Sequence, residues 1–206
     1  MHVHATIGEG HRTGHTVGMS STGRSPRWST AHLLVATPPL DDPNFDRTVV
    51  FMLEHNADGA IGVVLNRPAA IGLPDTLDRW SPHLTTPARL FHGGPVELDA
   101  LVALAEVHHP VDPDWTPVLA GVASIDLRSG PDDVGDISRL RVFRGYAGWG
   151  PGQLDDELDA GAWMVVPAEA DDVFCTDPAP LWRAVVRRQG GRTAWVANAP
   201  DDLRAN

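Results

Sequence analysis

Two arginines offer the clearest chemical reading in this chain. Arg47 and Arg67 flank the apolar runs TVVFMLE (48–54) and AIGVVLN (60–66), which are joined by EHNADGA. A loop at 55–59 with Asp58-Gly59 as its turn sets residue 54 opposite 60, 50 opposite 64 and 47 opposite 67. Asn66 then lies beside the two guanidinium groups. Like charges directly opposite on a sheet are destabilising, by roughly a few tenths of a kcal/mol or more, so a negative group is expected between them. Asp41, Asp42 and Asp46 are local candidates for structural pairing. An anionic ligand is the functional alternative, since paired guanidinium groups match a carboxylate or phosphate in shape and charge.

The other end of this hairpin carries Glu54, His55 and Asp58, a set able in principle to transfer protons or ligate a metal. Neighbours on a strand point to opposite faces, which argues against convergence of Glu54 and His55. Turn residues bonding their own backbone explain Asn56 and Asp58 without chemistry. In LFHGGPV (90–96), Gly93 and Gly94 could present backbone N–H groups to an anion, with His92 as a further donor. Glycines also serve close packing or positive φ, the commoner use. All ten histidines lie in residues 2–109, and none shows an H-x-x-x-H or H-E-x-x-H spacing. His108-His109 with Asp112 is too loose for a metal site. No metal or cofactor is expected.

GYAGWGPGQL (145–154) reads as a glycine-rich turn between a strand ending near Phe143 and a helix with Pro151 at its first position. Such a turn at a helix N-terminus can bind phosphate. However, the stretch matches neither a Walker loop nor G-x-G-x-x-G. Asp155, Asp156, Glu157 and Asp159 would repel an anion and themselves suit the helix dipole. Leu154 and Leu158 anchor that helix inward, and Tyr146 and Trp149 can fill the core beside it. The turn is read as architecture. Cys175, the only cysteine, excludes an intrachain disulfide. Its acidic neighbourhood, Asp171-Asp172-Val173-Phe174-Cys175, raises a thiol pKa and argues against a nucleophile.

The elements that must position these residues are short. Strands are expected at 32–37, 48–54, 60–66, 88–92, 100–107, 122–127, 140–144 and 162–167. The nearly continuous apolar runs imply cover on both faces. Helices are expected at 73–80, with Leu73, Leu77 and Trp80 on one side, and at 151–160. A third is expected at 178–189, with Asp177 as N-cap, Pro178 at the first position and Gly190 beyond the end. Leu181, Trp182, Val185 and Val186 form its apolar stripe. Residues 1–30, rich in His, Gly, Ser and Thr, read as a disordered tail, with Met19 a plausible true start. Residues 31–206 read as one mixed α/β (α+β) domain with a largely antiparallel sheet.

The 206 residues are enough to bury a substantial core. No run approaches the ~20 apolar residues that cross a bilayer, and no apolar segment of a secretory signal follows Met1. A cytoplasmic protein is expected. The net charge is −11, and residues 31–206 hold 13 arginines, no lysine and 26 carboxylates. So negative a body disfavours direct nucleic-acid binding. Its one basic cluster is Arg183, Arg187, Arg188 and Arg192, and two of these suit a helix C-terminus.

Three blocks taken together, HLLVATPPLDDPNFDRTVVFMLEHNADGAIGVVLNRP (32–68), FHGGPVELDALVALAEVHHP (91–110) and VFRGYAGWGPGQLDDELDAGAWMVVPA (142–168), resemble the YqgE/AlgH family of bacterial proteins. The likeness runs from about 31 to 190. It implies a compact domain whose sheets fold into a pseudo-barrel with flanking helices, and a cytoplasmic bacterial location. No established reaction defines the family; its label as a transcriptional regulator comes from an association with alginate production. Family motif positions correspond to Asn44, Phe45, Arg47, Glu54, His55, Gly59, Asn66, Arg67, Pro68, Gly93, Gly94, Pro95, Gly145, Tyr146, Gly148, Trp149 and Gln153. Phe91-His92 before the double glycine and the absence of lysine are this chain's own features.

Three functions follow as expectations. The first is a non-enzymatic regulatory or accessory protein binding a small anionic molecule or a protein partner through Arg47, Asn66, Arg67, Gly93 and Gly94. The second is a DNA-linked transcriptional regulator. The third is a hydrolase using His55 with a neighbouring carboxylate, for which no activated nucleophile or orienting third group is evident.

Overall fold

The computed structural model describes residues 29–38, 40, 42–108, 115–134 and 136–191. Residues 1–28, with His2, His4 and Met19, lie outside these, as do Asp41, His109, Asp112 and Arg192. Ser29 and Thr30 belong to the folded body: Ser29 is buried, and the Thr30 hydroxyl accepts the His55 N–H at 2.9 Å. The fold therefore reaches two residues into the expected tail.

Nine strands form the described framework: β1 (His32–Ala36), β2 (Val49–Asn56), β3 (Gly59–Val64), β4 (Phe91–His92), β5 (Val96–Val107), β6 (Thr116–Leu119), β7 (Val122–Ile125), β8 (Ile137–Trp149) and β9 (Trp163–Pro167). Their order is β6-β7-β5-β8-β3-β2-β1-β9, with β4 paired to β8. Every pairing is antiparallel except the short parallel β4–β8 contact. β8 is the hinge of the architecture. Its first part pairs with β5 and β4, while Ala147–Trp149 pair with Gly62–Ala60 of β3. One strand thus carries the curve of a half-barrel, as the family resemblance implied.

Alternate side chains of β1–β3 feed separate cores. Leu33, Val35, Val49, Phe51, Val63 and Leu65 pack with Phe174, Leu181, Trp182, Val185 and Val186. Leu34, Val50, Met52 and Val64 pack with Leu154, Leu158, Trp149 and Trp163. A third core joins Ala103, Ala105, Leu140 and Val142 to Trp80 and Leu90. Both faces of the central strands are therefore covered, which accounts for their continuous apolar sequence. Each buried aliphatic or aromatic side chain contributes about 1.5–3 kcal/mol.

Helix α1 (Gln153–Asp159) serves the second core, and α2 (Ala170–Val173) and α3 (Leu181–Arg188) serve the first. The last begins three residues later than expected. Pro180 disfavours helical geometry at Ala179 before it, so a helix cannot run through 178–180. Its predicted apolar stripe is the buried face. α1 likewise starts late, because Gly152 at φ +73° sits outside the helix and places Pro151 in the preceding turn. Residues 75–83 form a 3-10 helix that seats Trp80, whose Nε1 donates to the Leu127 carbonyl at 3.1 Å.

The largest departure concerns GYAGWG. Its first five residues are no turn but the C-terminal part of β8, and the turn is only 150–152. Four residues of β5, Glu97–Ala100, bulge out opposite Gly145, which takes φ +69°. The double glycine of residues 93–94 crosses the strand here. A Cβ on Gly94 would lie 2.2 Å from the Tyr146 carbonyl carbon, and one on Gly93 would lie 2.2 Å from the Gly145 oxygen. The hairpin also differs. Leu53 forms a bulge in β2, so Glu54 faces Ile61 and His55 faces Ala60, leaving a two-residue turn at Ala57-Asp58. The expected pairing of 50 with 64 is present.

Arg139 ties β5 and β8 to α2 by pairing with Glu106 and, at 2.7 Å, with Asp171, its guanidinium 4.8 Å over the Phe174 ring. The Arg139 hydrogen bond, helped by the Ser138 hydroxyl, holds the Glu106 carboxyl down at about 2. A depressed carboxyl contributes stability above its unfolded value that disappears as pH falls through the folded one. Wild-type melting temperature should therefore fall more steeply than that of Glu106→Gln between about pH 4.5 and 2, a difference that parallel acid melts will read. Gly94→Ala should lose at least ~2 kcal/mol in urea unfolding, since strand backbone occupies the space its methyl needs.

Candidate functional site

The arginine corner is built by one amide. Beyond β3 the Asn66 side chain takes over from the main-chain ladder: its Oδ1 accepts the Val49 N–H at 3.0 Å, and its Nδ2 donates to the Arg47 carbonyl at 2.8 Å. Arg47 is thereby fixed at φ +50°, in the left-handed region unfavourable for a residue with a side chain. Its half-buried guanidinium lies 5.3 Å over the Trp182 ring. Arg67 is exposed and donates to the Asp46 carbonyl at 2.5 Å. The two arginines therefore have separate anchors.

Arg67 and the glycines are neighbours through the backbone. The Arg67 carbonyl accepts the His92 N–H at 2.8 Å, and the Gly93 carbonyl accepts the Val64 N–H at 2.8 Å. The Gly93 N–H donates to the Arg144 carbonyl at 2.9 Å. That donor is occupied by a strand partner, so Gly93 does not offer the anion nest its sequence allows. Pro68 forms an isolated bridge with Phe91, which extends the same seam.

At the hairpin's far end, Glu54 accepts a hydrogen bond from Asn56 and is exposed, whereas His55 is buried. Asp58 donates its N–H to the Asn56 Oδ1 at 2.8 Å, a local turn bond. The three residues do not converge. No group of metal-ligating side chains forms among the described residues. His55 instead stands between Ser29 and Asp155. Its Nδ1 accepts the Ser29 N–H at 3.3 Å and lies 3.0 Å from the Ser29 Oγ. Nε2 then carries the proton and faces the Asp155 carboxylate at 3.8 Å.

A serine, a histidine and an aspartate in a row are the parts of a nucleophilic site. Here Ser29 is 1% and His55 5% exposed, so a substrate cannot reach the hydroxyl. The row ties the strand entry at 29–30 to β2 and α1. Ser29 escaped sequence reasoning because its setting, SPRWST, reads as tail.

The remaining motif residues build a locked aromatic cluster. Phe45 stacks on Trp149 with centroids 6.2 Å apart and meets Trp163 edge-on at 5.4 Å. Glu157 Oε2 accepts both indole N–H groups, from Trp149 at 2.9 Å and Trp163 at 2.7 Å. Gln153 donates to Glu157 Oε1 at 2.9 Å and accepts the Gly150 N–H at 3.1 Å. Gly59 at φ +137° lets the hairpin approach the Trp149 carbonyl. Tyr146 faces Glu97, and burial raises its phenol pKa. Asn44 closes a local turn through its N–H to Asp42, at 2.8 Å. Glu157 and Trp163 were absent from the sequence candidates; their signal, a Glu one helical turn beyond Gln153, has a generic helix-surface reading.

Cys175 donates to the Asp177 carbonyl at 3.1 Å, and burial pushes its thiol pKa up, with the Asp177 and Asp172 charges acting the same way. In the basic cluster, Arg188 binds Asp172 at 2.8 Å, Glu169 at 3.2 Å and the Pro167 carbonyl. It fastens α3 to α2. A cleft of about 780 Å³, lined by Val107, Trp115, Val118, Leu119 and Val122 with Ala31, lies at the β6–β7 end. His108 lines it too, whereas the described ligand-binding candidates Arg47, Asn66, Arg67, Gly93 and Gly94 do not.

The sequence model of the AlgH-like family, DUF179, matches residues 33–194. A UPF0301 protein of Thermobifida fusca is 48% identical over 188 residues, covering 86% of this chain and 95% of the relative. A UPF0301 protein of Streptomyces avermitilis is 45% identical over 183 residues, with the same coverage. Among solved structures, protein DIP2367 from Corynebacterium diphtheriae superposes with a TM-score of 0.78 at 28% identity, covering 85% of this chain and 94% of that one. The solution structure of AlgH from Pseudomonas aeruginosa gives 0.60 at 29% identity, with 89% and 100% covered. These matches extend across the half-barrel, the arginine corner and the aromatic cluster, and the chain belongs to the AlgH-like family, UPF0301.

Proposed function

We propose that this protein is a non-enzymatic cytoplasmic regulatory or accessory protein, and that it receives a small anionic molecule or a protein partner at the corner formed by Arg47, Asn66 and Arg67. The conformation of Arg47 carries this reading. A side-chain-bearing residue at positive φ costs on the order of 1 kcal/mol or more, and it persists where its surroundings over-determine it. Here the Asn66 amide holds the backbone and the Trp182 ring holds the guanidinium. That is the arrangement expected of a cation kept in one direction for recognition. Gly93 and Gly94 serve the site by placing β4 beside Arg67.

Burial of Ser29 and His55 supports the non-enzymatic reading over hydrolysis. The anionic body, and the use of Arg188 to fasten α2, weigh against a direct DNA-binding role. No described helix is long and apolar enough to cross a membrane.

Thermal melts against nucleotides, sugar phosphates and carboxylates test the reading. A ligand at ~100 times its Kd adds about 2.7 kcal/mol, which corresponds to a rise of roughly 5–10 °C for a chain of this size. Arg47→Ala should lose the rise. Asn66→Ala should lower basal stability by about 2 kcal/mol and weaken the response although both arginines remain. A response that Arg47→Ala retains in full, or none from any compound together with no captured partner, would sink the proposal.

A further inference from the structure

Arg141 is the most anomalous charge in the protein. It is 1% exposed, on the same face of β8 as Arg139 and Phe143. Its Nη2 donates to the Thr86 carbonyl at 3.0 Å, and its guanidinium lies 4.2 Å over the Phe91 ring. Nε and Nη1 are buried without any hydrogen-bond partner. The neighbouring segment holds a second orphan. Thr85, whose N–H donates to the Leu140 carbonyl at 2.9 Å, has a buried hydroxyl with no partner. Among the described residues, no carboxylate is ion-paired with Arg141.

The electrostatics deepen the anomaly. Burial lowers the Arg141 pKa to about 10, and the Arg139 charge acts in the same direction. Among the described residues, the ionisable acid that acts favourably on it is Cys175, which borders the same core and whose own thiol is pushed towards the protonated form by burial. A desolvated cation–π contact offsets only part of the cost of stripping water from an unpaired ion. Native proteins resolve such a deficit with a counter-ion, because a buried charge is tolerated when it is paired and its donors are satisfied.

We propose that Arg141 anchors a buried site for a small oxyanion, the carboxylate or phosphate of a small molecule, and that the unpartnered hydroxyl of Thr85, the residue before the Thr86 carbonyl that Arg141 binds, contributes to it. The site is separate from the Arg47–Arg67 corner: it lies on the inner face of β8 and uses none of the same residues. Nε–H and the Nη1 hydrogens donate to the anion's oxygens, and the Thr85 hydroxyl offers a further donor. Phe91 fixes the guanidinium plane.

The experiment follows the melting temperature of the full-length protein in an oxyanion-free buffer, titrated with sodium acetate or sodium phosphate against sodium chloride at equal ionic strength. Wild type should show a saturable rise, roughly 5 °C or more at about 100 times Kd, with one oxyanion and not with chloride. Acetate identifies a carboxylate ligand, and phosphate a phosphoryl one. Arg141→Met should melt at or above wild type without oxyanion, since an unpaired buried charge is gone, and should not respond. Cys175→Asp places a carboxylate at the acid that acts on Arg141. It should melt above Cys175→Asn and respond less than wild type. Arg47→Ala should respond as wild type does, which separates this site from the arginine corner. Equal responses of wild type and Arg141→Met overturn the proposal, as does the absence of any response to either oxyanion.

Discussion

The half-barrel depends on one close approach of backbone to backbone. Gly93 accepts a hydrogen bond from Val64 and donates one to Arg144, so a single residue joins the strands on either side. Gly94 then passes over Tyr146 at a distance that a methyl group would occupy. β8 can serve both halves of the sheet because this segment packs onto it without side chains. The demand is reciprocal: Gly145 at φ +69° accommodates the β5 bulge and faces the Gly94 carbonyl. Two glycine clusters far apart in sequence, Gly93-Gly94 and Gly145, therefore answer one steric requirement.

Upon that seam the acidic excess acquires an internal use. Glu157 satisfies two buried indoles, Glu106 holds Arg139, and Asp172 holds Arg188 while also accepting the Glu169 N–H. Glu157 pins α1 to the sheet, Glu106 joins two strands and Asp172 joins α2 to α3, and each avoids the cost of an unsatisfied donor. Net charge read from composition treats these groups as a repulsive surface. Part of that charge is instead the fastening between elements, two of the three carboxylates being paired with arginines.

Legibility followed the physics of each element. β1, β2 and β3 were readable because burial on both faces leaves an uninterrupted apolar run. The α3 stripe was readable because helical spacing leaves little choice. GYAGWG was misread because glycine usually signals a turn, whereas here it signals the passage of another chain segment. No local rule separates those two cases, but the matching Gly93-Gly94 elsewhere in the chain does. The arginine corner was half legible. Pairing of 50 with 64 put Arg47 and Arg67 at one end, yet the positive φ of Arg47 and the role of Asn66 as a substitute for the ladder depend on side-chain bonds that periodicity does not encode. Arg141 was hidden for a related reason. Alternation in RLRVF marks arginines as the outward face of a strand, and β8 has no such face there, because α2 and the segment after it cover it.

Local preference and global structure agree almost everywhere in this protein, which makes the disagreements informative. The Ser29–His55–Asp155 row resembles chemistry but satisfies structure, with hydroxyl and imidazole both buried. Arg47 and Arg141 behave in the opposite way. One holds an unfavourable backbone conformation, and the other holds a buried charge with two unsatisfied nitrogens. A leucine or methionine would fill the Arg141 position without desolvating an ion, and a glycine or asparagine would suit the Arg47 backbone better. Cost retained where a simpler side chain would serve points to a role outside folding. Both costs fall on arginines, one on its backbone and one on its guanidinium, and the two proposals of anion recognition rest on them.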